Sequence, residues 1–161
     1  MATNTEQIDQ RELVALEQYL KQYGQQAEVF AGQLELLENG RVEALAAIDA
    51  LQGLSESDDG TVLLQLGGGA SVRAKVVETD KVLVNIGSDV IVERPGKDAI
   101  EFLKDRITEM EASEKKVAET LERLRAQMNE IAKRIELGYQ QAVAAEQGGF
   151  PGARPALENE E

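Results

Sequence analysis

The sequence predicts an α+β chain that is mostly α: a long antiparallel coiled-coil hairpin with two β-hairpins at its base. Three observations predict it. Two long arms carry apolar residues at alternating spacings of three and four, as the seam of a coiled coil does. The segment between them switches to strict alternation, the period of a strand. The composition is that of long helices: 161 residues, 42% hydrophobic but only 4% aromatic, with no Trp. A chain of this length is expected to be one domain, residues 1–161.

The first arm spans residues 10–53. Leu16, Leu20, Tyr23, Ala27, Phe30, Leu34, Leu37, Ala44, Ile48 and Leu51 share one face, with Arg41 the polar intruder. Gly24, Gly32 and Gly40 fall outside that seam. The run GLSESDDGT, residues 53–61, supplies the glycine and polar cluster that end the helix.

Residues 60–94 read as four short strands, or two consecutive β-hairpins. Val62, Leu64 and Leu66 share a face, as do Val72, Ala74 and Val76, then Val82, Val84 and Ile86, then Val90 and Val92. Turns are expected at residues 67–70, 79–81 and 87–89. The triple glycine Gly67, Gly68, Gly69 invites comparison with a phosphate-binding loop, but no second glycine, Lys and Ser/Thr follow at the required spacing. An alternating strand follows instead of a helix, so the glycines supply positive φ to a tight hairpin. A four-stranded sheet here would have an uncovered face and two unpaired edges, a combination that another chain is expected to complete. Leu63, Val77, Leu83 and Ile91, apolar positions on the mixed opposite face, carry that oligomerisation expectation; their plainer role is packing within their own chain.

The second arm spans residues 97–146. ERPGKD marks its start, with Pro suited to a first turn and Asp98 to the positive end of the helix dipole. Ile100, Leu103, Ile107, Met110, Val117, Leu121, Leu124, Met128, Ile131, Ile135, Ala142 and Ala145 form its seam, interrupted at Glu114 and Gly138. Residues 147–161, rich in Gly and Pro, cannot continue the helix and are expected to form a flexible tail.

Composition also excludes function classes. The chain has no Cys and no His, which removes disulfides, thiolate metal sites, Cys nucleophiles, the commonest general base and the commonest zinc ligand. No catalytic, cofactor-binding or metal-binding residue is therefore assigned, and the chain is not expected to be an enzyme. Glu28, Glu35, Glu38, Glu109, Glu119 and Glu122 scatter over the outward faces of the arms and read as solvated charge rather than paired catalytic carboxylates. The formal net charge is −13, with 12 acids against 3 bases in the first 59 residues. Such a chain repels phosphate backbones, so nucleic acid is not expected as a partner. Neither is a membrane, because no apolar run approaches the roughly 18–20 residues of a spanning helix. With no targeting signal in MATNTEQIDQ, the expected location is the cytoplasm.

The order of helix, two β-hairpins and helix, with LGGGASVRAKV, TDKVLVNIGSDVIVE and AIEFLKDRI in succession, resembles the prefoldin family. The likeness runs over nearly the whole chain, and its most specific part is the block from Val62 to Val92 followed directly by AIEFL. Two hairpins rather than one resemble the alpha class, and the acidic character suggests the archaeal form. The resemblance implies a hexamer of two alpha and four beta subunits whose hairpins join a multi-chain β-barrel. It implies an ATP-independent chaperone that takes no nucleotide or metal. Such a holdase grips non-native polypeptide at its coiled-coil tips and passes it to a group II chaperonin. The client-binding candidates at the distal ends are then Ile8, Leu13, Val14, Leu16, Leu20, Tyr139 and Val143, with Phe150 beyond them. Leu16 and Leu20 also continue the seam, the plainer of their two roles. The alternative function is a structural coiled-coil scaffold or tether that binds no client.

Overall fold

The computed structural model describes residues 8–148. The tail expected beyond Gly148, with Phe150, lies outside the described residues. Six elements succeed one another in chain order: α1 Gln10–Glu56, β1 Thr61–Gly67, β2 Ala70–Lys75, β3 Lys81–Asn85, β4 Ile91–Pro95 and α2 Gly96–Gln147. The chain divides into two compact units. Phe30–Thr120 forms one, and of the described residues 8–29 and 121–148 fall in the other.

In the Phe30–Thr120 unit the two helices pack antiparallel. Ala44, Ile48 and Ile107 are buried together, with Ile100, Leu103 and Met110 packed against them. The two polar residues that interrupt the seam meet there: Arg41 Nε donates to Glu114 Oε1 at 3.2 Å. α1 runs three residues past Gly53, and the connector is then ordered by Asp59, whose carboxylate accepts from the Thr61 amide and hydroxyl. Those bonds, the Thr61 hydroxyl foremost, hold the Asp59 carboxyl below the usual carboxylate range. At the other junction Pro95 ends β4 instead of opening the helix, which starts at Gly96. Ala99, in the first turn of α2, is fully buried.

The strands form the two expected β-hairpins, but these do not join into one four-stranded sheet. β1 pairs only with β2 and β3 only with β4, each antiparallel, in two separate two-stranded sheets. Alternation along a sequence establishes strands but not which strands pair. Four edges, rather than two, are therefore without a ladder partner among the described residues.

The first hairpin turns at Gly68 and Gly69, both at positive φ (61° and 82°), which is what a tight two-residue turn requires. The register slips between Gln65 and Gly67, leaving Leu66 as the extra residue of a bulge. The second turn places Ser88 and Asp89 at positive φ (50° and 59°), with the Val90 amide donating to the Gly87 carbonyl at 2.9 Å.

In the unit of residues 8–29 and 121–148 the helices again run antiparallel, with Gly24 facing Met128 and Gly138 facing Leu13. Gly138, read from sequence as a break in the seam, is a hole. A Cβ there would lie 2.6 Å from Leu13 Cδ2 and 3.3 Å from Ile8 Cγ2. Past Gly138 the seam passes through half-buried Gln141, while Ala142 and Ala145 are exposed.

Candidate functional site

The free ends of the two helices display apolar surface on both sides of a closed seam. One open groove, about 700 Å³, is lined by Leu20 of α1 and by Ala132, Ile135, Tyr139 and Val143 of α2. The α2 residues lie at i, i+3, i+7 and i+11, one stripe of the helix surface. A second groove of about 540 Å³ is lined by Ile8, Leu16, Ile131 and Leu137, with Lys133 and Arg134 among its walls.

Of the residues singled out from sequence, Leu20, Tyr139 and Val143 thus share one groove, and Ile8 and Leu16 share the other. Val14 is exposed and lines neither. Leu13 is not displayed: at 7% exposure it fills the Gly138 hole and belongs to the seam. Extending the three–four alternation one position N-terminal of Leu16 reaches Leu13, so the signal was in the sequence. Ala132 and Leu137 were missed, and Ile131 and Ile135 were read only as seam. The i, i+4, i+8 spacing of Ile135, Tyr139 and Val143 would have revealed the stripe.

Polar contacts fix the geometry of these ends. The Ile8 amide donates to Gln141 Oε1 at 3.2 Å, and Arg134 Nη2 pairs with Glu12 at 2.6 Å. The Tyr139 hydroxyl donates to the Glu17 carboxylate, spanning the two helices. That bond, then the carboxylate's charge, pushes the Tyr139 hydroxyl above the ordinary tyrosine range. Among the described residues no group of His, Cys, Asp and Glu is placed to hold a metal, and no helix is long and apolar enough to cross a membrane. Glu28, Glu35, Glu38, Glu109, Glu119 and Glu122 all face water.

The hairpins carry a second apolar surface. Leu63, Val77, Leu83 and Ile91 are exposed, Val77 almost completely. Leu63 shares its face with Thr61, Gln65, Ser71, Arg73 and Lys75, so it stands alone among polar groups. The larger patch lies on the opposite face, at Leu64 and its register partner Val72, with Leu66 at the bulge. Sequence alternation marked these three as one face, but did not show that this chain leaves them uncovered. Coverage fades along the hairpin, from half-buried Val62 and Ala74 to exposed Leu64, Val72 and Leu66. On the second hairpin Val84 is buried, while Ile86 and Val90 near the turn are about half exposed.

Against this geometry the known proteins decide the family. The sequence pattern described as "Prefoldin subunit" matches residues 23–141. The chain belongs to the prefoldin family. Its relatives place it in the alpha class. It is 70% identical over 144 residues to the prefoldin subunit alpha of Methanoregula boonei, covering 89% of this chain and 92% of that one. It is 50% identical to the prefoldin subunit alpha of Methanoculleus marisnigri, covering 89% and 96%. A chain of the filamentous PFD from Methanocaldococcus jannaschii, solved by cryo-EM, has the same fold. There the TM-score is 0.60 at 22% identity, covering 72% of this chain and 97% of that chain. The prefoldin family is chaperone-related, and the two long helices with two small hairpins described above are the fold shared with that filament chain.

Proposed function

We propose that this chain is the alpha-type subunit of an ATP-independent holdase, which binds unfolded polypeptide at its free helix ends and delivers it to a group II chaperonin. The hairpins join those of beta-type subunits in a hexamer of two alpha and four beta chains, in the cytoplasm.

One observation carries the client-binding reading. At the free ends, the seam is closed by Leu13 in the Gly138 hole, yet Leu20, Ile135, Tyr139 and Val143 line an open groove. A helix pair that served only as a tether would gain nothing from Tyr139 and Val143, exposed outside its seam, whereas a holdase needs apolar surface that does not collapse on itself. The groove is shallow and open, and its lining is mostly side-chain hydrocarbon, which suits clients of varied sequence.

The test uses the chain co-assembled with a beta-type subunit. Light scattering follows the aggregation of a denatured test protein while native mass spectrometry follows the hexamer. Deleting residues 1–15 and 139–161 is expected to abolish protection and leave the hexamer intact. The double substitution Tyr139→Ser, Val143→Ser is expected to weaken protection in the same direction. Unchanged protection in both would sink the tip reading and leave the scaffold or tether.

A further inference from the structure

The two grooves at the free helix ends differ in how their charges are engaged. In the smaller one every charge on the wall is already paired, Lys133 with Glu130 at 3.5 Å and Arg134 with Glu12 at 2.6 Å. In the larger one Glu136 is the one charged residue of the lining. It is exposed and makes no ion pair among the described residues. Lys133, about a turn before it on α2, pairs with Glu130 instead. Lys21 follows Leu20 on α1 but does not line the groove. A second carboxylate borders the same surface, because the Tyr139 hydroxyl donates to Glu17. Water satisfies these carboxylates until something covers the apolar stripe beside them. An occupant that brings a cation then loses least in displacing that water, and one that brings an anion is turned away.

The stripe also sets the form of that occupant. Ile135, Tyr139 and Val143 line the groove four residues apart, about 6 Å along the helix at 1.5 Å per residue. Side chains on one face of an extended chain follow one another at about 6.6 Å. Alternate side chains of an extended segment therefore stay in step with the stripe over these three positions. From Ala132 to Gln147 the lining extends about 22 Å, room for about seven extended residues. Glu136 adjoins Ile135, at one end of the row, so it meets a long basic side chain at the corresponding end of the segment.

From this we propose that the larger groove selects extended client segments in which apolar residues alternate and a Lys or Arg flanks them, the base pairing with Glu136. The proposal rests on the client-binding reading above and narrows it to a class of segment. One exposed ion pair changes affinity by about threefold, and exchanging attraction for like-charge repulsion changes it by about tenfold. Both effects shrink as salt screens the carboxylate.

The test uses the full chain assembled with a beta-type subunit and fluorescein-labelled peptides made of three repeats of KVSLSVK, QVSLSVQ or EVSLSVE. Fluorescence anisotropy at low salt measures their affinities. The basic peptide is expected to bind about tenfold more tightly than the acidic one, with the neutral peptide between them. Glu136→Gln is expected to remove most of that preference, and Glu136→Lys to invert it. Glu109→Lys makes the same change in net charge at an exposed residue that lines neither groove, and is expected to keep the preference. A preference that survives both Glu136 variants, or that Glu109→Lys removes equally, overturns the proposal. Equal affinity of the three peptides for the parent complex also overturns it, and leaves the client-binding reading standing. If the parent complex binds none of them, the client-binding reading falls and the proposal with it.

Discussion

Tyr139 combines an apolar ring on the groove with a hydroxyl donated to Glu17 on the other helix, and so ties the groove to the closure of the seam. The bond favours the neutral phenol, which raises its folded pKa above that of the unfolded chain. Its contribution to stability is therefore complete below the ordinary tyrosine range and lost as the pH rises through the raised value. In a chain carrying Tyr19→Phe and Tyr23→Phe, absorbance at 295 nm should report Tyr139 ionising above that range. Adding Glu17→Gln should bring the midpoint back down; identical midpoints with and without Glu17 would mean that the carboxylate does not hold the hydroxyl. At this scale the sequence was an uneven guide. Tyr139 was legible as a residue off its seam, but nothing in a single sequence could pair it with a carboxylate 122 positions away. Gly138 read as a flaw because a hole is recognised only when its knob, Leu13, is known.

The helices were the most legible elements, since a three–four alternation sustained over ten or more positions has few other physical causes. Their ends were less so. α1 outlasts Gly53 by three residues because a single glycine costs a helix only about 1 kcal/mol, and Asp59 then organises the exit. The hairpins were legible from their strands and turns, while whether the two would join into one sheet was not, because alternation carries no information on pairing between hairpins. The seam's two polar interruptions, Arg41 and Glu114, looked independent in sequence and prove to be one ion pair in the fold. Such a polar layer costs stability relative to an apolar one but penalises shifted registers, in which each charge would face hydrocarbon. Arg41→Leu alone leaves Glu114 without its guanidinium and should cost about 1–3 kcal/mol, seen as a lower Tm by circular dichroism at 222 nm. Arg41→Leu combined with Glu114→Leu should recover most of that loss. A neutral single variant would show that the pair plays no part in holding the helices together.

Taken whole, the described residues expose apolar surface at two places, the free helix ends and the hairpins, and the two differ in kind. The helix-end groove is a stripe beside a closed seam, suited to transient contacts. The hairpins add open ladder edges to exposed side chains, so a partner strand there gains backbone hydrogen bonds and apolar burial together. That combination suits permanent assembly. The side chains that matter most for it should be Leu64, Leu66 and Val72, a contiguous exposed patch, more than Leu63 amid polar neighbours. Burying one such aliphatic side chain contributes about 1.5–3 kcal/mol. Losing two, as in Leu64→Ser with Leu66→Ser, should weaken association with a beta-type subunit by at least about a hundredfold. Leu63→Ser should weaken it far less. Because the patch is exposed in this chain, the double variant should keep its helical circular dichroism while native mass spectrometry shows the hexamer lost. Loss of helicity together with assembly would mean that these leucines stabilise the subunit itself. An intact hexamer would move the interface to the face of Leu63, Leu83 and Ile91.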